Sequence, residues 1–117
     1  MASVVNQKFN ITATIANGAS LSAALDLNER TPVALLMPAA WTAADITFQA
    51  SFDNTTFYNV FTAAGTEYTL TVAVDQYIII DPVNLAGASY IKVRSGTAAA
   101  AQNQGAARSI GLVVREL

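Results

Sequence analysis

The 117-residue chain contains no cysteine and no histidine. Disulfides, thiolate nucleophiles, zinc sites built on Cys and His, catalytic triads and imidazole pH switches are therefore excluded. Charge is scarce: 12% of residues are Asp, Glu, Lys or Arg, about half the usual share of ~25%. Six Lys and Arg against eight Asp and Glu leave a net charge of −2. That balance removes the electrostatic term that drives nucleic-acid binding, so neither DNA nor RNA is an expected partner. No run of about 18 apolar residues occurs, and the first residues lack a basic flank followed by an apolar stretch, so no membrane span or secretory signal is expected.

Apolar residues, by contrast, make up 53% of the chain, and the mean hydropathy is +0.38. A single domain of this size with so little charge must leave much of its surface apolar or neutral. Monomers seldom expose large apolar patches, so part of that surface is expected to be covered by other copies or by a partner.

The hydrophobic pattern has a period of two. Phe9, Ile11, Ala13 and Ile15 alternate with Asn10, Thr12 and Thr14, and Leu21, Ala23, Leu25 and Leu27 continue the alternation after Asn17-Gly18. This spacing predicts a first hairpin closed by the Asn-Gly pair. Val33 to Met37, between Pro32 and Pro38, reads as a short strand buried on both faces, and Pro38 to Asp45 as a connector. Ile46, Phe48, Ala50 and Phe52 alternate up to the turn Asp53-Asn54-Thr55-Thr56, and Phe57 to Phe61 returns as the other arm of a second hairpin. Tyr68, Leu70 and Val72 alternate next, Gln76 to Ile80 forms an apolar β-branched run stopped by Asp81-Pro82, and the last strands are Tyr90 to Arg94 and Ser109 to Arg115. Between those two, Gly96 to Ala107 is a long, small-residue loop.

The expectation is an all-β fold: an antiparallel, jelly-roll-like β-sandwich of eight or nine short strands over residues 9–117, preceded by an N-terminal arm over residues 1–8. Its core is predicted to hold Ile11, Ile15, Leu25, Leu35, Ile46, Phe48, Leu70, Val72, Ile79, Ile91, Val93, Leu112 and Val114, with Phe52 and Phe61 also following inward patterns.

Candidate chemistry is thin. Asp26, Asp45, Asp53, Asp75 and Asp81 fall singly at strand ends and turns, where turn formation accounts for them. No two are spaced as the carboxylate pair of a glycoside hydrolase, and Asp53-Asn54-Thr55 offers only one edge of a calcium site. No catalytic residue, cofactor or metal site is predicted. Trp41, Phe57, Tyr58, Tyr68, Tyr77 and Tyr90 are candidates for stacking on sugars, although core packing or subunit contact accounts for most of them. Lys92, Arg94, Arg108 and Arg115 gather on the C-terminal strands, where a basic stripe facing an acidic partner and a solvated outer face are both open readings. Lys8, Tyr58, Tyr90, Lys92, Arg94 and Arg108 are the predicted partner contacts.

Five segments carry a resemblance: Ile46 to Val60 (ITFQASFDNTTFYNV), Gly65 to Tyr68 (GTEY), Tyr77 to Pro82 (YIIIDP), Tyr90 to Thr97 (YIKVRSGT) and Ala107 to Val113 (ARSIGLV). Over residues 46–113 the sequence resembles small structural proteins of tailed bacteriophages, which look like jelly-roll sandwiches distantly similar to discoidin and carbohydrate-binding modules. In the shared turn Asn54 stands where a glycine is usual and Phe57 at the aromatic position. The resemblance implies a non-enzymatic protein that decorates and cements a capsid at the virion surface, made in the host cytoplasm. Its expected partners are the major capsid protein and other copies of itself, as a homotrimer at local three-fold positions. Binding of host-surface glycans by a virion or tail-fibre module is the alternative it leaves open.

Overall fold

A computed structural model describes residues 9–117, and the arm expected over residues 1–8, including Lys8, lies outside the described residues. Eight strands follow one another: β1 (Phe9–Ile15), β2 (Leu25–Asp26), β3 (Thr31–Leu36), β4 (Ile46–Ser51), β5 (Tyr58–Asn59), β6 (Tyr77–Ile79), β7 (Tyr90–Ser95) and β8 (Arg108–Arg115). One 3₁₀ turn, Pro82–Asn84, is capped by Asp81, whose carboxylate accepts the Val83 amide. Proline starts it and the Asp oxygen takes an otherwise orphaned donor, which is why Asp81-Pro82 ends the preceding strand.

The strands form two antiparallel four-stranded sheets, β1-β8-β3-β6 and β2-β7-β4-β5. The pairs β1·β8, β2·β7, β3·β6 and β4·β5 are nested, as in one long hairpin rolled over on itself, and that is a jelly-roll-like connectivity. Alternation puts one face of each sheet inward. Ala13 and Ile15 of β1, Leu35 of β3, Ile46 and Phe48 of β4, Ile91 and Val93 of β7, and Ile110, Leu112 and Val114 of β8 are buried between the layers. The Phe48 and Tyr68 rings stack at 5.8 Å. Of the predicted core, Ile15, Leu35, Ile46, Phe48, Ile91, Val93, Leu112 and Val114 are buried, while Ile11, Leu25, Leu70 and Val72 pack against the core from half-buried positions.

The β4·β5 hairpin forms as its sequence predicts, with Gln49 opposite Asn59 and Ala50 opposite Tyr58. One Asp53 oxygen accepts the Thr55 and Thr56 amides and the Ser51 hydroxyl, while Asn54 takes the left-handed conformation (φ 61°) that asparagine tolerates well. The hydrogen bonds from Thr56, Thr55 and Ser51 hold the Asp53 carboxyl below its ordinary value of 3.8. A carboxyl depressed on folding contributes stability that is present above its unfolded value and lost as pH falls through the folded one. Asp53→Asn should therefore melt below the native protein at neutral pH, with the difference shrinking as a thermal series is carried below pH 4.

Three expectations are corrected. The first hairpin does not form, because β1 pairs along its whole length with β8 whereas the chain after Asn17-Gly18 joins the other sheet, with the Ser22 amide on the Val93 carbonyl and Leu25 opposite Ile91. The turn itself is present: Gly18 has φ 79° and the Ala19 amide bonds the Ala16 carbonyl, but it serves as a corner between layers. Ile79 faces solvent while Ile80 is buried and Ile78 half-buried. Four consecutive apolar residues, Tyr77 to Ile80, carry no polar alternation to mark a face, and the opposition of Ile78 to Leu35 sets the register. Phe52 and Phe61 are exposed as well. Strand β4 ends at Ser51, whose hydroxyl accepts the Asp53 and Asn54 amides and turns the chain before Phe52 can continue the inward row.

Candidate functional site

Apart from Leu117, the large apolar side chains that reach solvent among the described residues fall between residues 52 and 83, on strands β5 and β6 and the segments beside them. Both strands lie at an edge of their sheet. The chain leaving β6 passes close to β5, so that Asn84, Leu85, Gly87 and Ala88 face Tyr58, Val60 and Phe61 across an open groove of about 320 Å³. Ala50 and the buried Leu85 help line it, and Phe52, Tyr58 and Phe61 supply its rings. Together with Tyr77 and Ile79 on β6 and Val83 on the 3₁₀ turn, these rings expose between 57% (Phe61) and 76% (Phe52) of their surface. Nearby, burial pushes the Tyr68 phenol above its ordinary value of 10.0, opposed by a side-chain hydrogen bond with Asn84 and reinforced by the Asp81 charge.

Phe52 also lines a second, more polar hollow of about 290 Å³ with Asp26, Asn28, Glu29, Ser89 and Tyr90. Its floor includes a tight turn in which Asn28 (φ 54°) and Glu29 (φ 64°) are both left-handed and the Arg30 amide bonds the Leu27 carbonyl. The two hollows thus meet at one ring, with Tyr58 on the apolar side and Tyr90 on the polar side.

The predicted contact residues are not gathered into one site. Strands β7 and β8 lie in different sheets, so Lys92 and Arg94 cannot form a stripe with Arg108 and Arg115. Arg94 is not an exposed contact but a buried one. Its Nε donates to Thr47 Oγ1 (2.9 Å), its Nη1 to Asn59 Oδ1 (3.0 Å) and its Nη2 to Glu67 Oε2 (2.8 Å). It does point to the outer face of its sheet, but the 61–67 segment folds over it and brings Glu67 to the guanidinium. Lys92 holds its ammonium over the Phe57 ring at 4.3 Å. Arg108 donates to Gln104 Oε1 and Thr42 Oγ1, so it braces the 96–107 loop. Trp41 is tied to the Ala44 carbonyl and packs against the core.

Among the described residues no group of three or more Asp and Glu is placed to hold a metal ion. What the arrangement offers is a set of exposed rings beside an open groove, with Asn28, Ser89 and Tyr90 lining the polar hollow that adjoins it. The exposed ring at Phe52 was concealed in the sequence by an alternation that runs without interruption from Ile46 into the turn. The clue available was Ser51-x-Asp53-Asn54, a turn signature that starts one residue before that ring.

Neither the protein-family models nor the curated proteins give a match to this chain. Among solved structures, the crystal structure of SPBc2 prophage-derived protein YomS is similar, with a TM-score of 0.53 at 15% identity, covering 97% of this chain and 99% of that one. At this identity the likeness is one of fold, and it spans the sandwich from end to end in both proteins.

Proposed function

We propose that this chain is a non-enzymatic structural protein of a phage particle, which decorates and stabilises a capsid by docking on the major capsid protein at the virion surface after synthesis in the host cytoplasm. The observation that carries this reading is the row of exposed apolar side chains on the β5/β6 side, on a chain with only 12% charged residues. A cement protein needs no reacting group. It adds stability to a lattice by mass action, through surface buried across joints. The prophage-derived structural neighbour supports a phage setting, and the resemblance of residues 46–113 to tailed-phage structural proteins points the same way.

The test is co-sedimentation with purified empty shells. Binding that saturates at a fixed ratio to the coat protein is expected, and Phe52→Ser should weaken it at least tenfold. Failure to sediment with any shell, expanded or unexpanded, would remove the reading. A second reading, glycan binding, is favoured by the Phe52 ring lying between an apolar groove and the hollow carrying Asp26 and Glu29. Sugars present C–H faces to rings and hydroxyls to carboxylates. Shift of the Phe52 and Tyr58 ring resonances on titration with simple hexoses would select it.

A further inference from the structure

We propose that Asn17 is a modification site: a deamidating asparagine held shut by the 96–107 loop, converted to aspartate or isoaspartate only when that loop lifts from the corner at Asn17-Gly18. The inference concerns a different part of the molecule from the exposed rings and stands apart from the capsid reading.

The chemistry is intrinsic to the sequence. Asn17 is the only asparagine of the chain followed by glycine. Once the Gly18 amide has lost its proton, its nitrogen attacks the side-chain carbonyl carbon of Asn17. The new N–C bond closes a cyclic imide, the bond to the side-chain nitrogen breaks, and that nitrogen leaves as ammonia. Water then adds to either carbonyl of the ring, giving aspartate, or isoaspartate in which the main chain runs through the former side chain. The sequence of steps consumes one water, releases one ammonia and involves no redox change. Glycine favours it because no Cβ hinders the approach to its nitrogen.

Asn17 is exposed, so water reaches it freely. The fold nevertheless opposes the attack in two ways. The nucleophile is occupied: the Gly18 amide donates to the Gln104 carbonyl at 2.8 Å, and the Gln104 amide donates in return to the Ala19 carbonyl at 2.9 Å. An amide held in this way gives up its proton only after the clasp has opened. The turn also has the wrong hand. The Ala19 amide bonds the Ala16 carbonyl, Asn17 lies outside the left-handed region and Gly18 has φ 79°, which together define a type II turn. In that turn ψ of the first central residue is about +120°, which swings the Gly18 nitrogen away from the Asn17 side chain. Ring closure needs both on the same side of the Cα–C bond, so the turn itself must come undone.

Gln104 is placed by its own side chain, which is buried. Its Oε1 accepts the Thr42 amide and Arg108 Nε, and its Nε2 donates to the Thr42 carbonyl and the Ser95 hydroxyl. Ser95 lies on β7 and Arg108 on β8, one in each sheet, so the clasp on Gly18 is anchored to both layers. Modification does not reverse. Isoaspartate adds a carbon to the main chain just before Ala19 and Ser20, whose carbonyls must meet the Gln104 and Ser95 amides. The modified residue is a permanent record that the loop has opened.

The test is peptide mapping by mass spectrometry of protein held in mildly alkaline buffer, native, unfolded in urea, and as the Gln104→Ala variant. Native protein should deamidate at Asn17 roughly tenfold more slowly than the unfolded chain, and folded Gln104→Ala several-fold faster than native, in step with faster hydrogen exchange of the Gly18 amide. If Gln104→Ala does not give a cooperative melt, Thr42→Val takes its place, since Thr42 Oγ1 accepts from the Gly105 amide and Arg108 and so ties down the same loop. A native chain that deamidates as fast as the unfolded one, or a folded variant whose Asn17 rate stays at the native value, overturns the proposal.

Discussion

Replacing Glu67 by alanine is expected to lower the free energy of unfolding by about 3 kcal/mol, the lower end of the ~3–5 kcal/mol cost of stranding one member of a buried ion pair. The Arg94 side chain is 7% exposed and that of Glu67 17%, so water replaces the lost carboxylate poorly. Thr47 Oγ1 and Asn59 Oδ1 still accept from Arg94, but neither carries charge. Glu67 also accepts the Ala98 amide, so its removal loosens the start of the 96–107 loop as well. Urea unfolding followed by the fluorescence of Trp41, the single tryptophan, measures the loss. On the scale of about 4 °C per kcal/mol for a domain of this size, the melting temperature should fall by roughly 12 °C. Glu67→Gln should lose less, because an amide oxygen can still accept from Arg94. A fall of under 1 kcal/mol in the alanine variant would mean that the pair is hydrated in solution.

Gly96→Ala is expected to be nearly as damaging, at about 3 kcal/mol from backbone strain and overpacking together. Gly96 has φ 89°, and a Cβ placed there would lie 2.5 Å from the Ala100 carbonyl oxygen, 2.7 Å from the Gln102 amide nitrogen and 2.9 Å from Ala101 Cα. All three are backbone atoms, so no side-chain rotation relieves the contact. The residue is also a junction: its amide bonds the Asp45 carbonyl and its carbonyl accepts the Thr47 hydroxyl that in turn receives Arg94. Strain here is felt at the buried ion pair. The same unfolding measurement applies, and Gly65→Ala, at φ 83° but with open space around it, separates the two causes, since it carries the conformational cost without the clash.

The sequence revealed faces better than partners. Alternation alone places Ile91 and Val93, or Leu112 and Val114, on the inner side of their strands, because a half-buried strand needs a polar residue every second position. It does not say which strand lies alongside. Asn17-Gly18 is a strong turn signal, yet β1 is claimed by β8 from the far end of the chain, and a turn that bends the chain between layers has the same residues as one that closes a hairpin. Where alternation is absent, as in Tyr77 to Ile80, nothing in the pattern marks the inner face, and it is Ile80 rather than Ile79 that turns inward. The candidate surface is only partly legible: Tyr58 reads as a contact residue, whereas the pattern points Phe52 and Phe61 inward and Arg94 outward. Arg94 does point outward, but a half-buried carboxylate from a segment 27 residues earlier covers it, and no local pattern announces such a contact.

The nested strand order also fixes the sequence of events in building the protein. The β4·β5 hairpin needs only 14 residues from Ile46 to Asn59 and closes on a turn its own side chains hold. The β1·β8 ladder must bring Phe9 to Val114 across almost the whole described chain, and closing so long a loop comes before any of its contacts repay the entropy. On the ribosome, β1 can find β8 only after Arg108–Arg115 has left the exit tunnel. Until then β1 and β3 both lack the strand that lies between them, so the first sheet is the last part to assemble and the part most exposed to pairing with a neighbouring nascent chain.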